Sequence, residues 1–75
     1  MKASIENPVV IAVIESEHKT YNVLDWGSND WLDVQYKSTC YQFKKTDDLA
    51  EMMDLALTEM GCSDYAKESY KIKLI

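Results

Sequence analysis

Thr46-Asp47-Asp48-Leu49-Ala50-Glu51-Met52-Met53-Asp54-Leu55-Ala56-Leu57-Thr58-Glu59-Met60-Gly61 is the one stretch of this chain that reads unambiguously as a helix. Its apolar positions Leu49, Met52, Met53, Ala56, Leu57 and Met60 recur at spacings of three and four, which puts them on one stripe of a helical surface. The threonine hydroxyl offers an acceptor to an orphan backbone N–H, and Asp47 and Asp48 meet the positive end of the helix dipole. A helix from Asp47 to about Met60 follows, ended by Gly61 in the left-handed position that glycine takes without cost. One such helix needs a sheet to lie on.

That sheet is read on both sides of the helix. Upstream, residues 1–7 form a polar lead-in to Pro8, which suits the start of a strand. The run Val9-Val10-Ile11-Ala12-Val13-Ile14 is continuous in apolar residues, so it reads as a strand that is central or covered on both faces. Ser16, Glu17, His18 and Lys19 make a hairpin turn, and Thr20 to Trp26 resumes with Tyr21, Val23 and Asp25 on one face and Asn22, Leu24 and Trp26 on the other. Gly27, Ser28, Asn29 and Asp30 are consecutive turn formers. From Trp31 onward, Leu32, Val34 and Tyr36 alternate with Asp33, Gln35 and Lys37, but past Ser38 and Thr39 the apolar pair Tyr41 and Phe43 is out of step. A bulge or tight bend would shift the parity in that way. Downstream, Tyr70, Ile72 and Leu74 alternate with Lys71 and Lys73 as a last strand, while the segment from Ser63 to Ser69 is either a loop or a short helix capped by Ser63 and Asp64.

The expected fold is α+β, in the order β-β-β-α-β: an antiparallel sheet of about four strands with one helix packed on one face. Seventy-five residues support one core, so the whole of 1–75 reads as a single domain, and a hydrophobic content of 47% is that of a folded globule. The longest apolar run has six residues, Val9 to Ile14, far short of the roughly 18–20 that span a bilayer. With no basic region leading into a long apolar one, a cytoplasmic location is expected. Cys40 and Cys62 have no metal-ligand spacing and no histidine near them, and are expected to be small buried hydrophobes without a disulfide.

The charges narrow the function. Thirteen acidic residues stand against eight lysines and no arginine, for a net charge of -5. Arginine's planar fork is the usual grip on phosphate and base edges, so direct nucleic-acid binding is not expected, nor is binding to anionic membrane. Catalysis is not expected either. The only histidine, His18, falls in a turn with no recognisable nucleophile beside it, and the two glycines, Gly27 and Gly61, serve a turn and a cap and not a phosphate cradle. No cofactor is implied. Asp25, Asn29, Asp30 and Asp33 lack the order of a calcium loop, so no metal is expected.

Two constellations point to binding. Around one turn, Asp25, Trp26, Asp30, Trp31 and Asp33 bring both tryptophans together with three carboxylates, the composition of a hot spot with an acidic rim that selects lysine or arginine on a partner. The plainer reading is a tryptophan pair clasping a hairpin, with aspartates as turn residues. On the outer helix face, Asp47, Glu51 and Asp54 recur at spacings of four and three and make a negative stripe with few lysines to break it, although any surface helix carries charge.

As a small acidic chain with a hairpin-rich sheet, one helix and no recognisable active site, it resembles the inhibitors that bacteriophages encode, including anti-CRISPR proteins and the phage inhibitor of host RNA polymerase; Glu15-Ser16-Glu17-His18 followed later by Thr46-Asp47-Asp48 and a terminal strand is similar to the order of elements in the polymerase inhibitor. The segment from Trp31 to Phe43 departs from the polymerase inhibitor. The resemblance implies a non-enzymatic protein that blocks a basic, nucleic-acid-handling surface of a host complex. The alternative is a small structural or regulatory subunit that self-associates, as a homodimer, or joins a larger complex through a sheet edge.

Overall fold

The computed structural model describes residues 7–75, so most of the expected polar lead-in lies outside the described residues. The elements are β1 (Val9–Glu15), β2 (Thr20–Asp25), β3 (Trp31–Tyr36), β4 (Thr39–Lys44), α1 (Leu49–Glu59), α2 (Asp64–Lys67) and β5 (Lys71–Leu74). All five strands pair antiparallel in the spatial order β4-β3-β2-β1-β5. The α+β class and the single long helix are as the sequence predicts, but the described residues form five strands where about four were expected.

The additional strand explains the parity change. Instead of a bulge in one long strand, Lys37 and Ser38 reverse the chain, and Lys37 takes the positive φ of 54° that this tight turn demands. Tyr36 then pairs with Thr39, Val34 with Tyr41 and Leu32 with Phe43. Residues directly opposite share a face of the sheet, so Tyr41 and Phe43 return to the face of Leu32 and Val34 although they are out of step along the chain.

β1 is interior, between β2 and β5, as its apolar run indicated, yet it is not covered along its whole length. Ala12 and Ile14 are fully buried, whereas Val9 and Val10 are exposed, and a register shift between Val10 and Ala12 marks a bulge at Ile11. Ile14, Tyr21, Val23, Leu32, Val34 and Phe43 from the sheet meet Met52, Ala56 and Leu57 from α1 in one core. Each aliphatic or aromatic side chain fully buried there contributes about 1.5–3 kcal/mol. The rest of the predicted stripe, Leu49, Met53 and Met60, packs partly buried against it, joined by Leu55. α1 touches β3, β4 and β5, strands from both ends of the spatial order, so the sheet curves around the helix.

The helix begins two residues later than predicted, and its cap is Asp48 rather than Thr46. Asp48 is extended (φ −87°, ψ 116°) and its Oδ1 accepts the N–H groups of Ala50 and Glu51 at 2.9 and 3.3 Å. Such a cap is worth about 1 kcal/mol. Thr46 acts one step earlier: its hydroxyl accepts from Asp48 N at 3.2 Å and donates to Glu51 Oε1 at 2.6 Å. Gly61 has the left-handed φ of 82° expected of it. Of the two readings of residues 63–69, the short helix holds, with the Ser63 hydroxyl accepting from Ala66 N.

Candidate binding surface

The β2–β3 turn is rigidly built. Asp25 Oδ1 accepts from Gly27 N at 2.7 Å, Gly27 has φ 90°, and the Ser28 hydroxyl accepts from Asp30 N and Trp31 N, each at 3.1 Å. Lys45, just past the end of β4, then ties the turn to the start of α1. Its N–H donates to Asp30 O at 2.9 Å, and its ammonium donates to Ser28 O at 3.2 Å and lies 3.8 Å from Asp25 Oδ2. Asp47 and Asp48 lie only two and three positions beyond Lys45, so the acidic turn and the acidic first turn of the helix, separate in sequence, lie at the same end of the molecule. Carboxylates from Asp25, Asp30, Asp47, Asp48 and Glu51 outnumber Lys44 and Lys45 there.

Both tryptophans are at this end and both are open to solvent, Trp26 by 41% and Trp31 by 44%. Continuing the Leu24–Asp33 register brings them opposite each other at the mouth of the turn. They form no aromatic pair; the pairs among the described residues are Tyr21 with Tyr36 and Tyr21 with Tyr70. The clasp reading is therefore not what the geometry shows. By register, Leu24 sits between Val10 and Asp33 on the face away from α1, and it is buried there. An apolar floor thus underlies the tryptophan end of the otherwise polar open face.

Further along, the negative stripe of α1 is partly spent inside the molecule. Asp54 accepts from Lys67 Nζ at 2.8 Å, and the same ammonium donates to Thr58 Oγ1 at 2.7 Å and lies 3.4 Å from Asp64, docking α2 on α1. The Asp54 hydrogen bond raises the Lys67 pKa above its ordinary value, keeping the ammonium charged. Glu51 is engaged by Thr46, while Asp47 and Asp30 make no side-chain hydrogen bond or ion pair among the described residues.

Cys40 and Cys62 are free, but neither is the buried hydrophobe that its residue type suggested. Cys40 is exposed because it lies on the outer strand and on the face away from α1, the opposite parity to buried Phe43, and Cys62 is half-buried just past α1. The Cys40 thiol donates to Asp33 Oδ2 at 3.3 Å; partial burial and that carboxylate push its pKa up to about 11, so it is a poor nucleophile at neutral pH.

At the opposite end, Tyr21 stacks on Tyr70 at 5.4 Å and meets Tyr36 edge-on at 5.2 Å, with the Tyr21 and Tyr70 hydroxyls 3.2 Å apart. Lys19 and Lys37 lie over the Tyr36 ring at 5.7 and 5.3 Å. This cluster was not foreseen, although Tyr21 and Tyr36 share the buried parity of their strands. His18 is exposed in the β1–β2 turn, where its N–H donates to the Ser16 hydroxyl. A shallow hollow of about 260 Å³ on α2 is lined by Tyr65, Ala66, Glu68 and Ser69, with no histidine, cysteine or candidate residue in its wall. No group of histidine, cysteine and carboxylate side chains suited to a metal ion occurs among the described residues, and no helix among them is long and apolar enough to cross a membrane. Comparison with protein-family models, with curated proteins and with solved structures finds no match to this chain.

Proposed function

We propose that this protein is a non-enzymatic binding protein whose tryptophan-bearing acidic end occupies a basic surface of a protein partner, as phage-encoded inhibitors of nucleic-acid machines do. The observation that carries this reading is the pair of unpaired, solvent-open tryptophans on a hydrogen-bonded turn, beside carboxylates that converge from two parts of the chain. Aromatic anchors on a rigid frame lose little entropy on binding, and an acidic rim favours lysine- and arginine-rich partners. Trp26 and Trp31 are the anchors in this reading; Asp25 is the turn-former, and Asp30, Asp33 and Asp47 supply the charge. Glu51 adds to the field while holding Thr46, whereas Asp54 is engaged by Lys67.

Immobilised protein exposed to host extract at low and high salt tests it, with an Asp30→Lys, Asp33→Lys variant alongside. A protein with a basic nucleic-acid-binding surface should be retained at low salt and released at high salt, since exposed charges are screened over about 10 Å at 0.1 M. The variant should lose that protein while melting at the wild-type temperature. Equal retention by wild type and variant would rule this end out as the binding surface.

A further inference from the structure

The two outer strands of the sheet are not alike. β5 is four residues long and carries Lys71 and Lys73, the charge that natural proteins place on an edge to stop further pairing. β4 has six residues, and from Thr39 to Phe43 none of them is charged. The ladder shows which of its backbone groups are open. Lys45 N donates to Asp30 O in continuation of the β3–β4 ladder, and Tyr36 and Thr39 close the two-residue turn, so the odd-numbered residues of β4 bond inward to β3. The N–H and C=O groups of Cys40, Gln42 and Lys44 consequently point outward, and no backbone group among the described residues bonds to them.

We propose that this edge pairs with the β4 edge of a second copy of the chain, antiparallel, with Gln42 facing Gln42 on the two-fold axis. This register matches all three outward-facing residues at once, because Cys40 then faces Lys44 of the second copy and Lys44 faces its Cys40. The charges fit as well. Lys44 of each copy comes beside the Cys40 thiol that is hydrogen-bonded to Asp33, and so one strand away from that carboxylate. Lys37 at the β3–β4 turn comes level with Asp47 of the second copy. On the helix side, Tyr41, left 46% exposed in the single chain, faces Phe43 of the other copy. Two five-stranded sheets become one of ten strands, with an isologous interface that leaves both tryptophan turns uncovered.

Sedimentation equilibrium from micromolar to millimolar protein tests the pairing. The mass should rise from 8.7 kDa towards twice that value. Gln42→Pro removes an outward N–H at a position where an edge strand tolerates proline, and Gln42→Lys sets like charges face to face on the axis. Both variants should retain the wild-type far-UV circular dichroism and stay monomeric throughout. In a Cys40→Ser, Cys62→Ser background, Gln42→Cys should oxidise to a covalent dimer faster than Lys73→Cys, since residues directly opposite are within disulfide reach. A wild-type chain that stays monomeric over the whole range, a dimer that survives both substitutions at Gln42, or equal oxidation at the two cysteine positions would overturn the proposal.

Discussion

The two ends of the sheet carry aromatic residues to opposite purposes. At the end holding the β1–β2 and β3–β4 turns, three tyrosines spend their surface on one another: Tyr21 is buried between Tyr36 and Tyr70, and the lysines of both turns cover Tyr36. At the end holding the β2–β3 turn, the larger indoles of Trp26 and Trp31 have no aromatic partner among the described residues, and the turn beneath them is fixed by Asp25, Ser28 and Lys45. Aromatic area that packs internally is structure, whereas aromatic area held open on a rigid frame is available to a partner. The contrast makes one end the candidate for stability and the other the candidate for recognition.

The largest effect that would test the contrast lies at the tyrosine end. Tyr21→Ala should cost about 3–5 kcal/mol, the range for removing a buried aromatic ring, which is a large share of the stability of so small a domain. Urea unfolding measures it; a loss below that of a surface substitution would mean that the tyrosine cluster is not structural.

Next comes alkali. Burial, followed by the hydrogen bond with Tyr70, raises the Tyr21 pKa well above its ordinary 10.0. The folded state therefore holds a proton that the unfolded chain releases, so the stability linked to Tyr21 is fully present below pH 10.0 and is lost as pH rises through the raised value. Tyr21→Phe keeps the ring and loses the hydroxyl contact. It should be less stable than wild type by about 0.5–1.5 kcal/mol at pH 7, and that deficit should shrink as pH climbs above 10.0. Parallel pH-stability curves for the two proteins would show that the hydroxyl does not titrate in this way.

Sharpest for the comparison is Trp31→Ala. A half-exposed indole should cost about 1–2 kcal/mol in the same urea measurement, well below Tyr21→Ala. A cost equal to that of Tyr21→Ala would make the tryptophan end as structural as the tyrosine end and erase the distinction.

How much of this was legible beforehand differs from element to element. The helix stripe, the Gly61 stop and the strand beginning at Val9 were readable because each follows from short-range periodicity or from one residue's backbone preference. The cap moved from Thr46 to Asp48 because two adjacent side chains could both serve, and the extended backbone at Asp48 selected between them. The reversal at Lys37–Ser38 was legible only as a bulge or tight bend, and not as the end of one strand and the start of another, because Lys37 is not a usual turn former and the shift of parity was the only trace the turn left. Cys40 was misread as buried for the same reason, since a strand not recognised cannot be recognised as an edge.

By itself the sequence determined the α+β class, the helix and its buried stripe, the acidic balance and the grouping of both tryptophans around one turn, all properties of neighbouring residues or of the chain as a whole. Tertiary structure alone decided that β4 is a separate strand at the outer edge, that Lys45 joins the acidic turn to the helix start, that Lys67 takes Asp54 out of the negative stripe, and that the tyrosines close on each other while the tryptophans stay open. These depend on contacts between residues distant along the chain, set by strand order and register, and no local pattern carries that information.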